Sequence, residues 1–177
     1  MIARCQAAGV PLILINPTEN LRDCPPFKSE HREDLTKEEL KEWRQHARAA
    51  REKMPDDPRA ALAKLLAAAE IDNLHAGLHY RLGRCYDALV MPEKAKAAYR
   101  QALELDVCPL RMTEPLHEAL LDAAADSGTP LIDARAMFEE LSANEIPGDE
   151  MLIDHVHPSI TGHQKIATAI AEMLVQW

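Results

Sequence analysis

The chain has 177 residues, 47% of them hydrophobic and 28% charged, with a formal charge of −9. That suffices for one domain with a buried core, or a small domain carrying an insert, and it excludes a disordered chain. No apolar run approaches the roughly 20 residues a bilayer span needs, and no basic-then-apolar leader opens the chain, so no membrane span is expected and the default compartment is the cytoplasm.

The charge is unevenly placed. Residues 1–111 hold 18 Lys+Arg against 17 Asp+Glu, whereas 112–177 hold 2 against 12. So acidic a C-terminal third argues against nucleic acid as a partner. Cys5, Cys24, Cys85 and Cys108 form no CxxC pair, which gives no zinc-knuckle or redox motif. They read as reduced, buried thiols.

Ile2 to Ala8 reads as a helix end capped by Gly9. Val10-Pro11-Leu12-Ile13-Leu14-Ile15 follows, a continuous apolar run rich in branched residues. It predicts a strand buried on both faces, as in a parallel α/β sheet. Residues 16–36 are a loop, broken by Asn16, Pro17, Asn20, Pro25 and Pro26. Its polar groups Asn20, Arg22 and Asp23 follow a strand's C-terminal end, where open α/β sheets bind ligands. An ordinary connection is the plain alternative.

Thr36-x-x-Glu39 is a capping box that opens a helix to about Met54, stopped by Pro55. Its interleaved charges describe a solvated face. A second helix runs from about Pro58 to Ile71, with Ala61, Leu62, Leu65, Leu66 and Ala69 at helical spacing. Residues 76–109 form a unit of 34. Leu82-Gly83, Tyr86, Ala95, Tyr99 and Ala102 sit where a helical hairpin needs small residues for close approach and aromatics to fill the gap. One period earlier, Ala61, Leu65 and Ala68 match Ala95, Tyr99 and Ala102, while Arg48-Ala49 and Glu52 break the pattern.

Glu114 to Ala125 is a helix ended by Ser127-Gly128. Leu131-Ile132-Asp133 is a short strand, and Ala134 to Leu141 a helix. A loop turning at Pro147-Gly148 leads to the last helix. That helix is expected to open on a Thr161-x-x-Gln164 capping box and to bury Ile166, Ile170, Met173, Leu174 and Trp177.

The sharpest local feature is Asp154-His155-Val156-His157-Pro158. A carboxylate three residues before an imidazole can accept its Nδ1–H, which leaves Nε2 free as a base. Three readings stand side by side: a hydrolase base with its orienter, a metal site built on His155-x-His157 with Asp154 and His163, and a structural helix-entry loop. His75 and His79, four apart, could also ligate a metal, but packing is the simpler reading. Arg111 could bind an anion or pair with nearby acids.

Residues 76–109 resemble the tetratricopeptide family, and 42–75 do so faintly. The strand at 131–133, the DxxHP loop and the final helix with Gly162-His163 resemble the last block of the SGNH/GDSL hydrolases. The loop from Asn20 to Phe27 with its helical insert resembles a bacterial branch that hosts such repeats. The resemblance implies that Asp154 and His157 are the acid and base of a serine triad. It implies a flavodoxin-like α/β/α layer over 1–35 and 109–177, a tetratricopeptide-like insert over 36–108, and an ester or acylated carbohydrate as substrate. No cofactor and no metal are implied.

The family's nucleophile block does not occur. No Gly-Asp-Ser is present, and Ser29, Ser127, Ser142 and Ser159 all lack the strand-to-helix elbow that exposes a nucleophile. The chain is therefore expected to be the C-terminal part of a longer hydrolase and nearly inactive alone. Asn20 and Asp23 are expected to face the same site as Asp154 and His157. The alternative is a binding module, in which the helices recognise a protein partner and the α/β part is scaffold.

Overall fold

The computed structural model describes residues 1–175. They fold predominantly as helix, with one small parallel sheet. The chain divides into two compact units. One is Leu21–Leu110, and the other joins Met1–Asn20 to the residues from Arg111 onward. Residues 21–35, expected with the α/β part, group with the helices. The Asp106 carboxylate explains much of this, because it accepts from the backbone N–H groups of Phe27, Lys28 and Cys108.

In the α/β unit, α1 (Ile2–Ala7) leads to β1 (Leu14–Asn16). The helix ends in a glycine cap: Gly9 takes φ +66°, its N–H reaches the Gln6 carbonyl, and that of Val10 reaches Cys5. The step from the sixth to the seventh helix repeats this cap at Gly128, φ +63°.

The strand at 10–15 is corrected by the structure. Only three residues pair, and they pair with β2 (Leu131–Asp133) in the register Leu14 to Leu131, Ile15 to Ile132 and Asn16 to Asp133. Pro11 lacks an N–H for a ladder. Leu14 and Asn16 are buried, while Ile15 is 38% and Val10 55% exposed. One face is covered, not two.

In the helical unit, α2 (Lys37–Lys53), α3 (Pro58–Ile71), α4 (Ala76–Ala88) and α5 (Pro92–Glu104) pack in sequence. Both halves of the Thr36/Glu39 capping box form. Trp43, Ala61, Leu65, Ala68, Leu78 and Cys85 anchor the core. Gly83 lets α4 touch α5, since a Cβ there would lie 2.6 Å from the Tyr99 ring. The rings of His31, Trp43 and His75 cluster at centroid distances of 4.6–4.7 Å, His31 edge-on to Trp43 and the other two pairs tilted. His75 is thus a packing residue, and His79 donates to the Asn73 carbonyl from Nε2 at 2.6 Å.

The remaining helices belong to the α/β unit: α6 (Glu114–Ser127), α7 (Ala134–Leu141) and α8 (Ile160–Val175). The start of α8 differs from the expected Thr161 box. Ser159 is the cap, its Oγ accepting from the Gly162 N–H at 3.2 Å, and Thr161 lies inside the helix. The expected buried stripe is only partly covered. Ile166, Ile170 and Met173 are half-buried, Leu174 is exposed, and Trp177 lies outside the described residues.

Candidate functional site

The Asp154–His157 segment forms the tip of a tight hairpin. Met151 and Leu152 anchor one arm, both buried against Phe138 of α7. The arms are tied by an antiparallel bridge between Leu152 and Pro158. The Ile153 N–H donates to the His157 carbonyl at 2.9 Å, and the Ser159 N–H to the Met151 carbonyl at 2.8 Å. Gly162 of α8 sits directly beneath, where a Cβ would lie 2.5 Å from the Met151 carbonyl oxygen. The hairpin and α8 are therefore in backbone contact.

At the tip, Asp154 folds back on its own backbone. Its Oδ1 accepts from the N–H groups of Val156 at 2.9 Å and His157 at 2.8 Å. The His157 ring stands beside the same carboxylate, with Nδ1 2.7 Å from Oδ2. These bonds, first those from the Val156 and His157 backbone and then that from the His157 ring, hold the Asp154 carboxyl down at about 2. An ionised carboxylate only accepts, so the ring proton sits on Nδ1. Nε2 contacts no hydrogen-bonding group among the described residues. The His157 side chain is 70% exposed. The result is an imidazole of fixed tautomer whose free nitrogen faces outward, a form suited to taking up a proton.

His155 adds no second ligand. Its carbonyl accepts from the Asn20 N–H at 3.0 Å. Among the described residues no three His, Cys, Asp or Glu side chains converge as metal ligands, and Asp154 and His157 already engage each other.

Asn20 is fully buried, so it is a strut and not a surface for substrate. Its Nδ2 donates to Asp149 at 2.8 Å, and its carbonyl accepts from Arg111 at 3.2 Å. Through its N–H it also holds the Asp154–His157 hairpin at His155. Asp23 is exposed and belongs to the helical unit, beside Tyr80 and Arg84. The structure does not bring it to Asp154 and His157 within one unit. Arg111 is buried, and its Nη1 donates to the Asn20 backbone carbonyl, not to an acid.

A buried polar network escaped the sequence reading. His117 of α6 places Nδ1 2.6 Å from Asn16 Oδ1 and Nε2 2.8 Å from Glu19 Oε1. Asn16 donates its Nδ2 to Asp133 at the end of β2, at 2.8 Å. Asn16, Glu19 and His117 are all at least 96% buried. The network clamps both strand ends and the loop that carries Asn20. One signal for it was available: His117 lies seven residues, two helical turns, before buried Ala124.

The serines are occupied elsewhere. Ser29 accepts from the Gly77 N–H, Ser127 donates within α6, and Ser159 caps α8. Ser142 is buried after α7. None of the four bonds to His157. No protein-family model, no curated protein and no solved structure matches the chain.

Proposed function

We propose that this chain carries the acid–base half of an SGNH/GDSL-like serine hydrolase and works with a nucleophile held outside these 177 residues. His157 is the general base and Asp154 its orienter. The observation that carries the reading is the hairpin itself: Nδ1 is held at 2.7 Å by a carboxylate and Nε2 is open. In the reaction, Nε2 takes the proton of the attacking hydroxyl and passes it to the leaving alcohol. Asp154 stabilises the imidazolium between the two steps. The substrate is an ester, such as an acyl group on a carbohydrate. Among the described residues β1 pairs on one edge only, which fits a sheet that continues onto further strands.

The test is fluorophosphonate labelling of the full gene product that contains this chain. We expect label on a serine outside residues 1–177, slowed by about 10³-fold or more in His157→Ala. Labelling at the wild-type rate in that variant would refute the reading. So would label on Ser29, Ser127, Ser142 or Ser159.

A further inference from the structure

The helical unit holds a pocket that the hydrolase reading does not use. It opens between α2, α3 and α4 with a volume of about 220 Å³. Its floor is apolar: Leu65 and Cys85 are 1% exposed, and Met54 packs beside them. Burial pushes the Cys85 thiol up to about 11, so the floor carries no charge at neutral pH.

Three arginines, Arg51, Arg81 and Arg84, line the same pocket. Arg84 lies beside Tyr80. Arg51 and Arg81 make no hydrogen bond or ion pair among the described residues. The acid next to Arg51 in sequence, Glu52, is held by Arg48 at 2.8 Å. The unit as a whole is neutral, with 16 Lys+Arg and 16 Asp+Glu over 21–110. Arg51 and Arg81 thus line the pocket without a bonded acid, while Asp23 lies beside Arg84. Partial desolvation first, and the neighbouring Arg51 second, depress the Arg81 guanidinium. An anion between them would relieve that repulsion.

We infer that this pocket binds a small amphiphilic anion, an oxyanion head on a short apolar tail. The guanidinium forks match a planar or tetrahedral oxyanion, and the tail covers the Leu65–Cys85 floor. Size limits the tail. A 150 Å³ apolar cavity holds benzene, so the space here suits roughly nine heavy atoms. Hexanoate, with eight heavy atoms, fits this space, and hexyl phosphate, with eleven, fits with part of its head in solvent; a long acyl chain is too large. The inference is independent of the hydrolase reading, because no residue of that site takes part.

The experiment is calorimetric titration of the purified chain with hexanoate and, separately, hexyl phosphate. Acetate tests the tail, and hexanol tests the charge. We expect a dissociation constant of about 0.1–1 mM for at least one of the two anions. It should weaken with salt and rise by about tenfold or more in Arg81→Gln. Arg81 is exposed, so the variant should fold, and its thermal melt checks this. Arg59→Gln, outside the pocket, should bind as wild type does. The tighter of the two ligands identifies the head group. Equal binding of hexanol, binding of acetate as tight as hexanoate, or an Arg81→Gln variant with unchanged affinity would overturn the inference. A leucine-terminated peptide binding tenfold more tightly than either anion would also overturn it, by assigning the pocket to a chain terminus.

Discussion

Gly162→Ala should disturb the Asp154–His157 hairpin. The added Cβ would lie 2.5 Å from the Met151 carbonyl oxygen and 3.0 Å from both Phe138 and Pro158. Ordinary contact begins near 3.4 Å, so α8 and the hairpin must part by about 0.9 Å. The obstacle is backbone, which cannot rotate away. Overpacking of this kind costs about 1–3 kcal/mol. Alanine returns up to about 1 kcal/mol through helix propensity. The net loss should be about 1–2 kcal/mol, or roughly 0.5–1 M in the urea midpoint of this unit. The Ile153 and Ser159 amides, which tie the hairpin arms, should exchange roughly tenfold faster. Gly128→Ala is the control. Its backbone is left-handed at φ +63° with no neighbour within 4 Å, so it should lose about 1 kcal/mol and leave those two amides unchanged. If Gly162→Ala is as stable as wild type and the two amides are still protected, the close contact does not hold the hairpin.

Gly83→Ala should destabilise the helical unit by about 1–3 kcal/mol, because the new methyl meets the Tyr99 ring at 2.6 Å. Denaturation of the double variant with Tyr99→Leu should recover part of the loss, and strict additivity would contradict the contact. His75 gives the same unit an acid sensitivity. Burial first, and the nearby His31 and Arg81 charges next, lower it from 6.5 to about 4. The folded state therefore resists a proton that the unfolded state accepts, and stability is lost as pH falls from about 6.5 toward 4. The full difference is about 3 kcal/mol, and the half-buried ring reduces it to about 1–2 kcal/mol. Melts at pH 7 and 4.5 should show His75→Phe losing less stability than wild type; an equal loss would count against the assignment. In the α/β unit, ¹⁵N NMR at neutral pH should find neutral His157 protonated at Nδ1, reverting to the Nε2–H tautomer in Asp154→Ala. A tautomer unchanged by that substitution would mean Asp154 does not orient the ring.

What could be read from the chain and what could not follows the range of the interactions. The Thr36/Glu39 box, the helical hairpin at 76–104 and the Asp154–His157 pair all join residues close in sequence. Their geometry follows from local spacing. The ends of β1 did not, because strand length depends on where β2 pairs, 117 residues away. The role of Asn20 was hidden for the same reason: its partners are at 111, 149 and 155. The loop 21–35 follows a strand, so position suggested the α/β part, yet Asp106 binds its backbone. His117 looked like any polar residue on a helix until β1 brought Asn16 and Glu19 to it.

The central claim is that His157 acts as a catalytic base oriented by Asp154. Steady-state hydrolysis of an acetyl ester by the full gene product tests it most directly, with wild type, His157→Ala and Asp154→Ala compared. The expected result is a fall in kcat of about 10³-fold or more for His157→Ala, a large fall for Asp154→Ala, and no dependence on added zinc. Wild-type kcat in His157→Ala would contradict the claim.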